Sequence, residues 1–314
     1  MTAGLLPYND YGSALKERLG GRVQKLAIDA HLSCPNRDGT IARGGCSFCL
    51  GEAFSPAYCR EAESITSQID RALDFHISRG RQSDIYLAYL QSGTNTHAPI
   101  DKLKLLYTEA LSHPKISGLI IGTRPDCITS GTLQLLADLR RNHYIAVEYG
   151  IESVYDMTLQ HVNRGHTLAD TISAVAQTKA LGIDVGGHLI LGLPRETRAN
   201  IIDSIKHINS LELDTIKFHQ LQIYRNTPIA REWSARPEDF LFGIGDAMEE
   251  YITLLIDIIR RLRPDTAIDR LTSEAPRHLI LHSPLGGIRP DVVRNEVVRR
   301  MRETNHRQGD LYLQ

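Results

Sequence analysis

Short apolar runs alternate with longer amphipathic stretches through most of the chain. The runs "VQKLAID" (23–29), "DIYLAYL" (84–90), "ISGLIIGT" (116–123), "YIAVEYGI" (144–151), "DVGGHLILGL" (184–193) and "TIKFHQLQI" (215–223) predict six strands. Between them, Ile65, Ile69 and Leu73 recur at helical spacing, and residues 100–112, 130–141, 167–181 and 198–211 are also read as helices. Thr167 stands where an N-cap is needed, and Gly182 where a helix should stop. Each strand with its helix takes about 30 residues, the length of a βα unit feeding a parallel sheet.

Six such units with right-handed crossovers wrap into a partial or complete barrel, or spread as a doubly wound sheet. The expected class is α/β, a partial (βα)6 TIM-like barrel with a C-terminal α-rich extension. Either closure brings the loops that follow the strands to one end, where α/β proteins place their sites. Five segments meet there: the loop 34–49, "QSGTNT", "RPDC", "ESVYD" and "PRET". After Trp233 the pattern changes to an apolar helix (247–262), a strand-like "TAIDRLT" and an Arg-rich tail. The expected division is a lead-in over 1–22, a core over 23–235, and an extension over 236–314 packed on the barrel.

Composition narrows the classes. The 314 residues are 42% hydrophobic and 23% charged, an ordinary globular balance with length enough for a large core. A formal net charge of -1 gives no global basic field that would announce nucleic acid. The start "MTAGLLPYNDYGSALKERL" lacks a signal-peptide apolar region, and no run approaches the roughly 18 apolar residues of a membrane span. Five cysteines, three of them between residues 34 and 49, favour metal or redox chemistry in the cytoplasm over structural disulfides.

Those three sit in "HLSCPNRDGTIARGGCSFC" (31–49) at C-x11-C-x2-C. His31 with Cys34, and Cys46 with Cys49, would supply the two ligand pairs of a tetrahedral zinc site. Alternatively Cys34, Cys46 and Cys49 would hold an iron–sulfur cluster with one iron open to a small molecule. Cys59 would close that cluster as a fourth ligand, or is a buried inert thiol. Phe48 offers an aromatic face beside the open iron, or is a core residue.

The phrase "SCPNRDGTIARGGCSFC" after the first strand of a six-unit βα protein resembles the radical S-adenosylmethionine (SAM) superfamily. The wider cysteine spacing resembles its YhcC-like branch, akin to the radical SAM domain of the elongator catalytic subunit. "GTRPD" (122–126), "EYGIES" (148–153), "NRGHT" (163–167), "GGHLILGLPRET" (186–197) and "YRNTPIA" (224–230) agree in the same order. The likeness spans about residues 8–285. It implies a partial barrel of the radical SAM type, a 4Fe–4S cluster on Cys34, Cys46 and Cys49, and SAM on the open iron. One electron would then split the sulfonium C–S bond, giving methionine and a 5′-deoxyadenosyl radical.

The resemblance implies roles for Phe48, the 189–192 stretch, residues 92–95, Arg124, Asp126, Glu152, Arg164 and His166, and the residue pattern itself adds Glu148, Lys217, His219, Cys127 and the tail arginines. Phe48 would lie near the adenine, with 189–191, ending at Leu191, as an apolar wall and Gly192 allowing close approach. Ser92, Thr94 and Asn95 stand where many relatives carry a Gly-Gly-Glu that receives the methionine amine; a polar turn is the alternative. Arg124 and Asp126 would make polar contacts to cofactor or substrate, or pair with each other. Glu152 would accept from the ribose hydroxyls, and Glu148 would be a barrel-interior group. Arg164 and His166 would touch the SAM carboxylate or cap a helix. Lys217 and His219 would face the lumen, as substrate contacts or satisfied interior groups. Cys127 would donate a hydrogen atom or is merely buried. Arg299, Arg300 and Arg302 would form a phosphate patch or a solvated helix face.

The implied partners are a reducing electron donor of flavodoxin or ferredoxin type, and tRNA, with a wobble-uridine side chain as the substrate class. Two other readings stay open at the level of sequence. One is a zinc-stapled nucleic-acid-binding protein; the other is an iron–sulfur electron-transfer protein without SAM chemistry.

Overall fold

The computed structural model describes residues 6–51, 55–60 and 64–313. Six strands stand in chain order and pair in parallel: β1 (Val23–Ile28), β2 (Ile85–Leu90), β3 (Ile116–Thr123), β4 (Tyr144–Glu152), β5 (Asp184–Leu191) and β6 (Thr215–Gln220). Helices Ile65–Ile77, Ile100–Ser112, Ser130–Arg140, Leu168–Ala180 and Arg198–Ser210 connect them. Thr167 does cap its helix: it accepts from the Asp170 amide while the Asp170 side chain accepts from the Thr167 amide. Thr197 and Asn200 repeat the arrangement one unit later.

Three more strands follow. β7 (Ile223–Tyr224) and β9 (Ile280–His282) form a small antiparallel ribbon, whereas β8 (Ala267–Arg270) pairs in parallel with β6. The sheet therefore has seven strands, in the order β1-β2-β3-β4-β5-β6-β8. "TAIDRLT" is expected outside the barrel with the extension; it instead covers the β6 edge, which would otherwise leave a row of backbone groups unpaired. Helices Met248–Arg261 and Pro290–Glu303 complete the C-terminal part, packing through Ile258, Val293, Val297 and Met301.

Strand alternation divides the sheet into two chemically different faces. Leu26, Ile28, Leu90, Leu119, Ile121, Val147, Tyr149, Val185, Ile216 and Phe218 face the helices and share the large core. The other face is concave and carries Lys25, Tyr89, Ile120, Ala146, Glu148, His188 and Lys217. Its curvature is visible in its contacts, because Lys25 on β1 pairs with Asp269 on β8, the opposite edge strand. The lead-in is also built into the barrel. Tyr11 and Leu15 of helix Tyr11–Leu19 pack on Leu87, Ile120, Ala146, Val23 and Ile85, filling the lumen at the end where the strands begin.

Among the described residues no helix is long and apolar enough to cross a membrane.

Candidate active site

The cysteine loop leaves β1 and at once makes one helical turn, Pro35–Asp38, with Cys34 as its N-cap residue and Pro35 at the first position. Gly44 and Gly45, both at φ above +80°, fold the chain back on the turn, where Gly45 N–H donates to the Asn36 carbonyl (2.8 Å) just ahead of Cys46. Cys46 is buried and Cys34 and Cys49 are half-buried. Two further backbone bonds fix the loop: Ser47 N–H donates to the Val162 carbonyl (2.9 Å) and accepts through its own carbonyl from Ile229 N–H (3.1 Å).

The turn supplies donors as well as a cysteine. Asn36 is fully buried, and its Nδ2 donates to the carbonyls of Asn163 (2.6 Å) and Arg164 (2.9 Å) and lies 3.5 Å from Cys46 Sγ. Arg37 Nη2 donates to the Cys49 carbonyl (3.0 Å) and lies 3.5 Å from Cys49 Sγ. From the loop after β4, Arg164 reaches Cys46 Sγ through Nη1 at 3.9 Å and the Gly150 carbonyl through Nη2 at 2.7 Å. The three thiols also feel one another. Burial pushes the Cys49 thiol up, Cys46 and Cys34 push the same way, and Arg37 opposes them.

The loop after β2 is clamped to this one. Gly93 has φ +76°, and a Cβ there would lie 2.5 Å from the Leu32 carbonyl oxygen, so only glycine fits. Asn95 ties β2 to β3, its Nδ2 donating to the carbonyls of Leu90 (3.0 Å) and Gly122 (2.8 Å). Ser92 is half-buried at the head of the same turn. After β3, Arg124 is buried and holds Asp126 through two parallel bonds of 2.9 and 2.7 Å. After β4, Glu152 occupies a bulge with φ +65°, and its Oε1 lies 3.8 Å from Arg164 Nη2. A non-glycine residue in that region is strained, as residues at functional sites often are.

Seven buried polar atoms around these loops have no hydrogen-bond partner among the described residues: Asn36 Oδ1, Ser47 Oγ, Asn95 Oδ1, Arg124 Nη1, Arg164 Nε and both ring nitrogens of His166. Asn36 and Arg124 are close together, since a Cβ on Gly165 would lie 2.7 Å from Asn36 Oδ1 and 3.1 Å from Arg124 Nη2. Buried polar atoms are normally paired, so such a set points to a polar ligand. His166 is pushed down to about 2, by burial first and then by Arg164 and Arg124, so it stays neutral.

The donor set therefore fits an anionic, thiolate-held group: three cysteines on one loop, N–H donors on two of their sulfurs, and two buried arginines with spare donors. It fits zinc poorly. His31, the fourth ligand of that reading, is 60% exposed, and its Nδ1 lies 3.6 Å from Asp29 Oδ1. Among the described residues no three His, Cys, Asp or Glu side chains are drawn into the close set that one metal ion requires. A four-iron cluster takes its thiolates from a wider ring. Cys59 is engaged elsewhere, donating from Sγ to the Ala27 carbonyl (3.6 Å), and burial and Asp29 push its thiol up to about 11. Cys127 is likewise held protonated, pushed up to about 12 by burial and Asp126.

Other expected residues fall elsewhere. Leu191, expected on the wall beside the cofactor, lies in the helix-facing core with Leu189, because alternation puts both on that side. Ile190 is on the opposite side and packs with half-buried Phe48 against Val162, Leu193, Leu221, Ile223 and Ile229. Gly192 admits a protein ring, with a Cβ there 2.9 Å from Phe242. Lys217 is a satisfied interior group, its Nζ donating to Tyr89 Oη (2.8 Å) and to Glu148. Glu148 is the hub of the lumen; burial works against its charge, but Lys217, Lys25 and His188 hold it well below the usual carboxylate range. The His219 ring lies against that of His188, tilted by 33°, with ring centroids 5.6 Å apart. In the tail, Arg299 pairs with Glu296 and Glu303, and Arg300 with Glu296 and Glu249, so these cations are already matched by carboxylates.

Sequence reading did not single out Asn36, Arg37, Lys25 or Asp269. Asn36 and Arg37 lie within the quoted loop, directly after "CP", while Lys25 could have been found as a lone cation in a strand run.

A curled parallel sheet with polar loops at the strand ends and three cysteines in the first of them is the arrangement of an α/β barrel enzyme. The model of the radical SAM superfamily matches residues 38–208, and that of the Radical_SAM C-terminal domain matches residues 213–303. The chain belongs to the radical SAM superfamily and is an enzyme of that class. Cys46 and Cys49 fall within the first match, and Cys34 just before it.

Protein YhcC of Escherichia coli (strain K12) is 34% identical over 274 residues, covering 87% of this chain and 85% of that protein. The tRNA uridine(34) acetyltransferase of Methanocaldococcus jannaschii is 28% identical over 118 residues, 37% of this chain and 21% of that protein. Among solved structures, the archaeal Elp3 of Methanocaldococcus infernus superposes with a TM-score of 0.69 at 18% identity, covering 91% of this chain and 64% of that one. The last likeness is one of fold.

Proposed function

We propose that the protein holds a 4Fe–4S cluster on Cys34, Cys46 and Cys49, binds SAM beside it, and modifies a uridine side chain in tRNA. The observation that carries the cluster is the loop itself, which bears three cysteines and places N–H donors on the sulfurs of Cys46 and Cys49. When bound and reduced, such a cluster supplies the electron that splits SAM into methionine and a 5′-deoxyadenosyl radical, which takes hydrogen from substrate.

The chain's own residues bind and orient. Arg164 and Arg124 offer their spare N–H groups to the SAM carboxylate, a charge-assisted contact in a buried setting. Asn95 Oδ1, which has no partner among the described residues, and Ser92 accept from the amine. Glu152 accepts from the ribose hydroxyls, while Phe48 and Ile190 form the apolar wall for the adenine. Plugging of the lumen by Tyr11 and Leu15 excludes water from below, which protects a radical from quenching. A reducing donor of flavodoxin or ferredoxin type provides the electron.

The tRNA substrate is supported by the partial likeness to a protein named for tRNA uridine(34). The matched arginines of the tail lend it no support. Anaerobic purification with iron and sulfide counting, then dithionite and SAM, tests the chemistry: four irons and 5′-deoxyadenosine are expected from the wild type, and neither from Cys34→Ala. Zinc without iron would end this reading. Nucleoside mass spectrometry of tRNA from cells with and without the protein tests the substrate, and an unchanged uridine profile would remove tRNA.

A further inference from the structure

The turn Pro35–Asp38 does more than carry its N-cap cysteine. Two consecutive side chains on it, Asn36 and Arg37, reach the sulfurs of the other two cysteines. They differ in setting. Asn36 has no exposed surface and also braces the loop after β4, so it cannot be changed without loosening two loops. Arg37 is exposed, and its contacts are with Cys49 and the glycines flanking it, Gly45 and Gly51, against which its guanidinium lies. Arg43, on the same loop, is equally exposed and donates to no cysteine sulfur among the described residues.

An N–H donor on a thiolate sulfur, and a positive charge beside it, both favour the more negative oxidation state of an iron–sulfur centre. Arg37 brings the two together at one ligand. We infer that Arg37 is a positioning residue that sets the reduction potential of the cluster, through its hydrogen bond and charge at Cys49, and so decides which donors can reduce it. The inference rests on the cluster reading above. Its sign is fixed: removing the guanidinium lowers the potential and makes the centre harder to reduce. Lysine retains the charge but on a shorter side chain, without the guanidinium nitrogen that meets both the sulfur and the carbonyl of Cys49, so its effect is smaller.

The test is a potentiometric titration, monitored by electron paramagnetic resonance, of anaerobically purified wild type, Arg37→Gln, Arg37→Lys and Arg43→Gln. Iron and sulfide are counted in each sample. All four are expected to carry the same iron. Arg37→Gln should shift the reduction equilibrium at least tenfold toward the oxidised form, 59 mV for a one-electron couple. Arg37→Lys should fall between, and Arg43→Gln should match the wild type. An iron-loaded Arg37→Gln with unchanged potential overturns the inference and leaves the cluster reading standing. So does an equal shift in Arg43→Gln, which would make the effect one of general surface charge. Loss of iron from Arg37→Gln alone overturns it in favour of a role in assembly. A wild type that takes up no iron removes both.

Discussion

Lys25, on the first strand of the sheet, is ion-paired with Asp269 on the last. The pair spans the open side of the barrel, and both groups also meet the hub beneath the site: Lys25 approaches Glu148, and Asp269 approaches Lys217. Two cations and two carboxylates thus neutralise one another in a lumen that little water reaches. Removing one member leaves a charge without its partner, which costs more than the pair contributes. Lys25→Met should destabilise the fold by about 3 kcal/mol, and Lys25→Met with Asp269→Leu should recover most of it. Urea unfolding of the three proteins checks this, and equal losses in the single and double variants would contradict it.

Gly93 sits where the loops after β1 and β2 touch. A methyl group there meets the Leu32 carbonyl oxygen at 2.5 Å, in a backbone conformation that L-residues avoid. Gly93→Ala is expected to lower stability by about 2 kcal/mol. It should also reduce iron retention, because the displaced segment leads directly to Cys34. Thermal melting and iron counting read the two effects, and unaltered iron would separate the clamp from the cysteine loop.

Arg164 carries a different expectation. Its Nη2 secures the Gly150 carbonyl at 2.7 Å, and its Nε is left over. Lysine retains one cation but not the fork. Arg164→Lys should therefore keep its iron and bind SAM at least about tenfold more weakly, in line with the loss of a charge-assisted bond. Equilibrium dialysis with labelled SAM measures it, and unchanged affinity would take Arg164 out of the cofactor site.

Glu196, in the loop after β5, gives the fold a dependence on pH. Burial raises its carboxyl to about 7, while hydrogen bonds with Ser153 and Thr158 oppose the rise. The folded state thus holds a proton that the unfolded chain has released by about pH 4.5. Its stabilising contribution is full below that pH and is lost as pH rises through about 7. Glu196→Gln keeps the shape without the charge. Its melting temperature, relative to wild type, should climb between pH 5 and pH 8; a constant difference would count against a buried, protonated Glu196.

The barrel strands lie within a few residues of the apolar runs that predict them, and β3 coincides with its run. Those runs are long enough to show their period. β8 is four residues, too short for a period, and its partner lies far back in the chain, so nothing local marks it as part of the sheet. The cysteines were legible from spacing and the ordered motifs. The side of Leu191 was not, because "LILGL" is apolar throughout and a run without polar positions hides which face it turns inward. Arg299 and Arg300 looked like a patch because their carboxylate partners include Glu249 on another helix. Asn36 and Arg37 are ordinary loop residues, and only the folded turn aims them at sulfur.

The helix Tyr11–Leu19 leaves the barrel a blind-ended vessel. The loops that carry Cys34, Cys46 and Cys49 lie at the other end of the strands, so a ligand of the lumen approaches from their side. For the proposed SAM and tRNA, the ligand that lodges deeper would enter before the larger one and leave after it. An order of addition would thus follow from nine residues at the far end of the strands from the cysteines.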